Sequence, residues 1–204
     1  MISLGYKRNI DFYKLLITIS IPIVIQNLIS SSLNLVDNVM IGQLGETYIA
    51  ATGLANQIYF IMTLLLFGGN SGISIYIAQY WGNKETDKIK SVLSIGLLFA
   101  LFVSSIFFVI GFVFPEQTLG LMSKDMAVVH LGASYMRIVS LSYVITAISF
   151  AFGFSARSVG HPKLPMIAAV ISLLINTVLN YLLIFGKFGF PNLGIEGAAC
   201  HSDC

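Results

Sequence analysis

The chain has 204 residues, of which 56% are hydrophobic and only 10% are charged, with a formal net charge of +2. A soluble domain carries roughly 25% charged residues, so this composition excludes a soluble globular fold as well as a disordered chain. The net charge is too small to indicate nucleic-acid binding, and the lipid bilayer is the environment that fits the sequence.

Five stretches are apolar and long enough to cross a bilayer, which takes about 20 residues of α-helix. They lie at about residues 15–40, 50–80, 91–114, 126–154 and 164–186, and the opening turn of a sixth helix follows from Gly194. Residues 1–14 carry charges and no signal-peptide cleavage site, so we expect helix one to remain as a membrane anchor. The predicted fold class is an all-α integral membrane protein, a polytopic helix bundle with five complete transmembrane helices and the start of a sixth.

The positive charges between these helices predict how the chain is oriented, because Lys and Arg are enriched in cytoplasmic loops. With the N-terminus inside, eight of them fall on the cytoplasmic side and two on the outer side. The inner set is Lys7, Arg8, Lys14, Lys84, Lys88, Lys90, Arg157 and Lys163, against Lys124 and Lys187 outside. We therefore predict a multi-pass protein with a cytoplasmic N-terminus.

Helix one contains a proline and an acidic residue. Pro22 removes a backbone hydrogen bond and should bend the helix. A charged group at membrane depth costs at least about 2.5–3.5 kcal/mol on insertion scales, so Asp37 is a candidate functional residue. The structural alternative is that Asp37 marks the outer end of the helix and is solvated at the interface.

Helix five adds two amide side chains, Asn176 and Asn180, which are four residues apart and therefore share one helix face. Helices one and five both run outward, so these residues and Asp37 are expected at one depth in the outer half of the membrane. A carboxylate with two amide oxygens suits a hard cation such as Na⁺, and it suits a proton-binding site equally well. The structural alternative is that the two asparagines join helices by hydrogen bonds.

The remaining polar and small residues favour structural roles. Arg137 lies some turns below the outer surface in helix four, and we expect its long side chain to reach toward water. The stretch from Gly68 to Gly72 has a Gly-x-x-x-Gly spacing that predicts close helix packing rather than a phosphate loop. The tail of residues 200–204 has metal-ligand residue types but is too short for a metal site. No catalytic motif occurs, so we do not expect an enzyme.

The segments Asp37-Asn-Val-Met-Ile-Gly-Gln-Leu-Gly45 and Ala50-Ala-Thr-Gly-Leu-Ala-Asn-Gln57 resemble the multidrug and toxic compound extrusion (MATE) transporters, in particular the bacterial drug/Na⁺ or H⁺ antiporters. The resemblance continues in family order through Gln79-Tyr-Trp-Gly82, Pro115-Glu-Gln117, Tyr135-Met-Arg-Ile138, Arg157-Ser-Val-Gly-His-Pro-Lys-Leu-Pro-Met166, Lys187-Phe-Gly-Phe190 and Gly194-Ile-Glu-Gly-Ala-Ala199.

This resemblance implies a cell-membrane transporter with two six-helix lobes that exports cationic or amphipathic compounds by alternating access. It implies coupling to Na⁺ or H⁺ and no other cofactor. Asp37 corresponds to the family residue that carries the coupling cation, and Asn176 and Asn180 correspond to its helix-five polar pair. Asn180 departs from the aspartate found in many members, which leaves the identity of the ion open.

The resemblance also implies that residues 15–199 form an N-terminal lobe, whereas residues 200–204 depart from the family pattern. The C-terminal lobe is then a missing partner, and the truncated lobe alone is expected to be inactive. Two alternatives stay open. One is a flippase for lipid-linked precursors from the same superfamily, although only Arg137 offers an internal positive charge. The other is a membrane protein that does not transport, either a remnant or a lobe that binds a partner helix bundle.

Overall fold

The computed structural model describes the backbone of residues 2–43 and 45–184. Side chains are described for residues 12–32, 35–36, 38–39, 41–43 and 45–175. The predicted sixth helix and the tail at 200–204 lie outside these ranges. Seven α-helices form the described part: α1 Ile2–Gly42, α2 Glu46–Gly82, α3 Thr86–Val113, α4 Pro115–Gly120, α5 Met126–Ser140, α6 Tyr143–Ser158 and α7 Lys163–Ile184.

These helices overlap each of the five predicted stretches, and the all-α membrane fold class is confirmed. The number of complete spans stays a prediction. By length and composition, Phe12–Ser32 within α1, the whole of α2 and the whole of α3 can each cross a membrane. The pair α5 and α6 passes the same test together, and the described part of α7, Lys163–Ile175, is a shorter apolar helix. Large apolar side chains cover the outside, for example Leu98 and Phe102 on α3, which are 68% and 67% exposed. This surface is what a bundle immersed in lipid requires.

The fourth predicted stretch is not one straight helix, because α5 and α6 meet at an angle of 51°. At the bend, the hydroxyls of Ser140 and Ser142 donate to backbone carbonyls three residues earlier, at 2.8 and 2.6 Å. The amides of Leu141 and Ser142 also bond three residues back, at 3.2 and 3.0 Å. Serine hydroxyls that bond to their own helix backbone bend helices, and a hydropathy pattern does not report this.

The connection between α3 and α5 is formed by residues that favour helix starts. Pro115 begins α4, a position at which a backbone N–H would make no hydrogen bond within the helix, so proline costs nothing there. Asp125 is the N-cap of α5, and its Oδ1 accepts a hydrogen bond from the amide of Ala127 at 2.9 Å.

Helix α2 is at the centre of the bundle and packs against α3, α5 and α6, while α1 packs mainly against α7. The ring of Phe99 from α3 packs directly on the backbone of α2 at Gly69, where a Cβ atom would lie 2.0 Å from Cε1 of Phe99. Gly68 and Gly72, the pair in the predicted spacing, have nothing within 4 Å of such an atom. The packing role predicted for this stretch therefore belongs to Gly69, since spacing alone does not indicate which face meets a neighbour.

Candidate functional site

The three predicted cation-site residues lie on two helices that pack together. Asp37 is part of the continuous helix α1, and Asn176 and Asn180 are part of α7. Helices α1 and α7 pack against each other. The rise of an α-helix separates Asn176 and Asn180 by about 6 Å along the axis of α7. The side chains of all three residues lie outside the described set, so their meeting in one site stays a prediction.

A polar contact that was not predicted from the sequence joins α1 to α6. Nη2 of Arg157 donates a hydrogen bond of 2.7 Å to Oε1 of Gln26, and both side chains are partly buried. The guanidinium group also lies over the ring of Phe154, 5.3 Å from its centroid. Arg157 counted only as a cytoplasmic charge in the sequence, because the two residues are 131 positions apart. The sequence feature that could have indicated this contact is Gln26 itself, a polar residue in the middle of an apolar span.

Titratable side chains also lie close together where α4 meets α5. Oε1 of Glu116 on α4 is 3.7 Å from Nδ1 of His130 and 3.7 Å from Nη2 of Arg137, both on α5. The side chain of Arg137 is 49% exposed, and its contact with water stays a prediction. Exposed ion pairs of this kind contribute roughly 0–1 kcal/mol to stability. We therefore assign this group a structural role.

The buried polar residues of α2 are satisfied by their own helix and leave no open site. Nδ2 of Asn70 donates to the carbonyl of Leu66 at 2.9 Å, and Oγ1 of Thr52 lies 3.0 Å from the carbonyl of Tyr48. Both residues are only 1% exposed.

Comparison with known proteins identifies the family of the chain and its fold. A family model described as MatE matches residues 22–182. The chain is 33% identical over 180 residues to the probable multidrug resistance protein YoeA of Bacillus subtilis, covering 88% of this chain and 39% of that protein. It is 30% identical over 185 residues to the probable multidrug resistance protein NorM of Halalkalibacterium halodurans, covering 91% and 40%.

Among solved structures, a MOP superfamily transporter from Pyrococcus furiosus superposes with a TM-score of 0.83 at 23% identity, over 93% of this chain and 41% of that one. A multidrug resistance MATE family transporter in an outward-facing conformation gives the same values. The shared feature is the fold. In each case the chain spans about two-fifths of the length of the protein that it matches.

Proposed function

Since the chain belongs to the MatE family, whose members are transporters rather than enzymes, we propose that it forms the N-terminal lobe of a cation-coupled multidrug efflux antiporter. The observation that carries this proposal is the family match over residues 22–182, which includes Asp37, Asn176 and Asn180. The curated relatives carry names that refer to multidrug resistance. The substrates that we propose are cationic or amphipathic small molecules.

The proposed coupling ion is Na⁺ or H⁺, held by Asp37 together with the amide oxygens of Asn176 and Asn180. The packing of α1 against α7 supports this proposal, because it brings together the two helices that carry these residues. Carboxylate and amide oxygens are suitable ligands for a hard cation, and a site near a repeat interface follows the general design of secondary transporters.

A single lobe offers only one wall of a substrate cleft, so we propose that efflux requires a C-terminal lobe. The chain covers 39% and 40% of the two curated relatives named above, somewhat less than the half that a complete lobe of two would make up. We also propose that the protein lies in the cell membrane with a cytoplasmic N-terminus, because Lys and Arg are more numerous in the loops predicted to be cytoplasmic.

The proposal is tested by expressing two proteins in a bacterium that lacks its own drug pumps. One is the 204-residue chain, and the other is the chain continued by the C-terminal lobe of the Bacillus subtilis relative, which we call the completed transporter. We expect efflux of a fluorescent lipophilic cation from the completed transporter only. Absence of efflux from a correctly inserted completed transporter would favour the non-transporting alternative, and movement of a lipid-linked precursor instead of the dye would favour the flippase.

The ion site is tested at Asn180. In the completed transporter, Asn180→Leu removes one proposed oxygen ligand, and we expect at least a tenfold rise in the ion concentration that gives half-maximal efflux, equivalent to about 1.4 kcal/mol. The measurement is dye efflux from vesicles after a sodium jump at fixed pH and, separately, after a pH jump without sodium. The jump that drives efflux identifies the ion. Asn27→Leu, at an exposed position on α1, is the matched control, and an equal effect of both variants would contradict the assignment.

A further inference from the structure

The contact between Arg157 and Gln26 lies where α6 ends. Arg157 is in the last turn of α6, where a cation already interacts favourably with the helix dipole and can reach cytoplasmic water. Its guanidinium group instead bonds Gln26 of α1 at 2.7 Å and covers the ring of Phe154. The Nε atom is buried and has no hydrogen-bond partner among the described residues. Solvation alone does not explain this arrangement, because the group gives up water contacts to reach α1.

Gln26 lies on α1 between Pro22 and Asp37, so a contact at Gln26 affects the part of the helix that carries Asp37. Pro22 lies one helical turn earlier and has no N–H, so the carbonyl of Thr18 lacks the helix hydrogen bond that would come from residue 22. The helix is therefore least constrained by its own backbone just before Gln26. Asp37 follows eleven residues after Gln26 on the same helix, about 16 Å along its axis. A restraint at Gln26 thus fixes the start of the helical segment that carries Asp37.

The rest of the packing leaves α1 dependent on few neighbours. Helices α2 and α3 pack on each other and on both α5 and α6. Helix α1 packs mainly on α7 and has a smaller contact with α2, and α7 has only a small contact with α6. The α1 and α7 pair is therefore attached to the central helices by much less packing than those helices share among themselves. The Arg157 to Gln26 hydrogen bond adds a polar link between this pair and α6.

We propose that Arg157 is a positioning residue for transport: its hydrogen bond to Gln26 holds the middle of α1 against α6 and so fixes the Asp37 segment relative to the four central helices. This inference rests on the proposed function for its consequence in transport. The restraint of α1 by the Arg157 to Gln26 hydrogen bond does not depend on the proposed function.

The restraint is measured by pulsed electron paramagnetic resonance between two spin labels in the 204-residue chain in lipid nanodiscs. The labels are placed on cysteines at Leu28 of α1 and Leu98 of α3, which are 62% and 68% exposed, after replacement of Cys200 and Cys204 by serine. We expect a narrow distance distribution in this background. Arg157→Met keeps an apolar side chain and removes every hydrogen-bond donor, and it should at least double the width of the distance distribution. Gln26→Leu removes the acceptor and should broaden the distribution in the same way.

Two further variants separate the restraint from a general loss of packing. Gln26→Glu should keep the distribution narrow, because a carboxylate accepts a stronger, charge-assisted bond from arginine. Arg137→Met removes a guanidinium that contacts Glu116 and should also leave the distribution narrow. Unchanged widths in both Arg157→Met and Gln26→Leu would overturn the proposal, as would equal broadening by Arg137→Met.

The effect on transport is measured in the completed transporter. We expect Arg157→Met to lower the maximal efflux rate at least fivefold and to leave the half-maximal ion concentration within twofold of its original value, since Arg157 does not bind the ion. A full rate in this variant would overturn the role in transport. If the unsubstituted completed transporter shows no ion-coupled efflux, the proposed function fails, and the spin-label distances still decide whether Arg157 positions α1.

Discussion

Replacement of Asp37 by asparagine is expected to lower ion-coupled efflux by the completed transporter at least a hundredfold, a loss equivalent to about 2.7 kcal/mol. Asp37 is the only one of the three proposed ligands that carries a negative charge, and asparagine has nearly the same shape without that charge. A site of three neutral amides binds a cation weakly, and it has no group that can release and take up a proton. The fold should persist, because a neutral side chain at membrane depth costs less than a charged one.

The measurement is efflux of the lipophilic cation from vesicles under an imposed sodium or proton gradient, with the amount of inserted protein determined in the same vesicles. Glu46→Gln is the matched control, since it makes the same chemical change at an exposed acidic residue in the first turn of α2. Normal coupled efflux by the Asp37→Asn variant would remove Asp37 from the cation site and with it the proposed mechanism of coupling.

The second large effect is expected at Gly132, on the buried face of α5 where it meets α2. A Cβ atom at this position would lie 3.1 Å from the carbonyl oxygen of Ala51 and 2.9 Å from Cδ1 of Leu119. The first neighbour is helix backbone and cannot turn aside, so the larger side chain of Gly132→Val must push α5 away from α2. Overpacking of this kind costs typically 1–3 kcal/mol, and we expect the melting temperature of the detergent-solubilised chain to fall by several degrees.

Gly72→Ala provides the control for Gly132→Val, because Gly72 is exposed on α2 and has nothing within 4 Å of the added atom. Alanine is the better helix former by as much as about 1 kcal/mol, so this variant should melt at the same temperature as the original chain or slightly higher. Equal melting of Gly132→Val and the original chain would show that α2 and α5 are not held at the distance described here.

The all-α membrane fold could be predicted because it depends on length and hydropathy, which each segment carries by itself. The bend between α5 and α6 could not, since it depends on hydroxyl groups of Ser140 and Ser142 that bond to the backbone inside an apolar stretch. The close approach at Gly69 was missed for a related reason: the residues from Gly68 to Gly72 fit several helix faces equally well. Only the position of Phe99 on α3 distinguishes them.

Part of the candidate site could likewise be predicted from the sequence, and part could not. Asp37, Asn176 and Asn180 stand out in the sequence, because polar groups in apolar helices are conspicuous and their spacing predicts a common face. Their joint coordination of an ion remains a prediction. Arg157 and Gln26 were each visible as polar residues, but their hydrogen bond depends on how α1 rests against α6. No local pattern encodes a contact between residues that are so far apart in the chain.

The bend in the fourth span has a consequence for how the protein is made. Helix α5 has 15 residues and α6 has 16, so each is only about 22–24 Å long, whereas the hydrocarbon core is about 30 Å thick. Neither half is long enough to be accepted by the insertion machinery as a complete span. We therefore expect the two to enter lipid together as one bent span, with the serine hydroxyls at the bend bonded to backbone carbonyls that lipid cannot solvate.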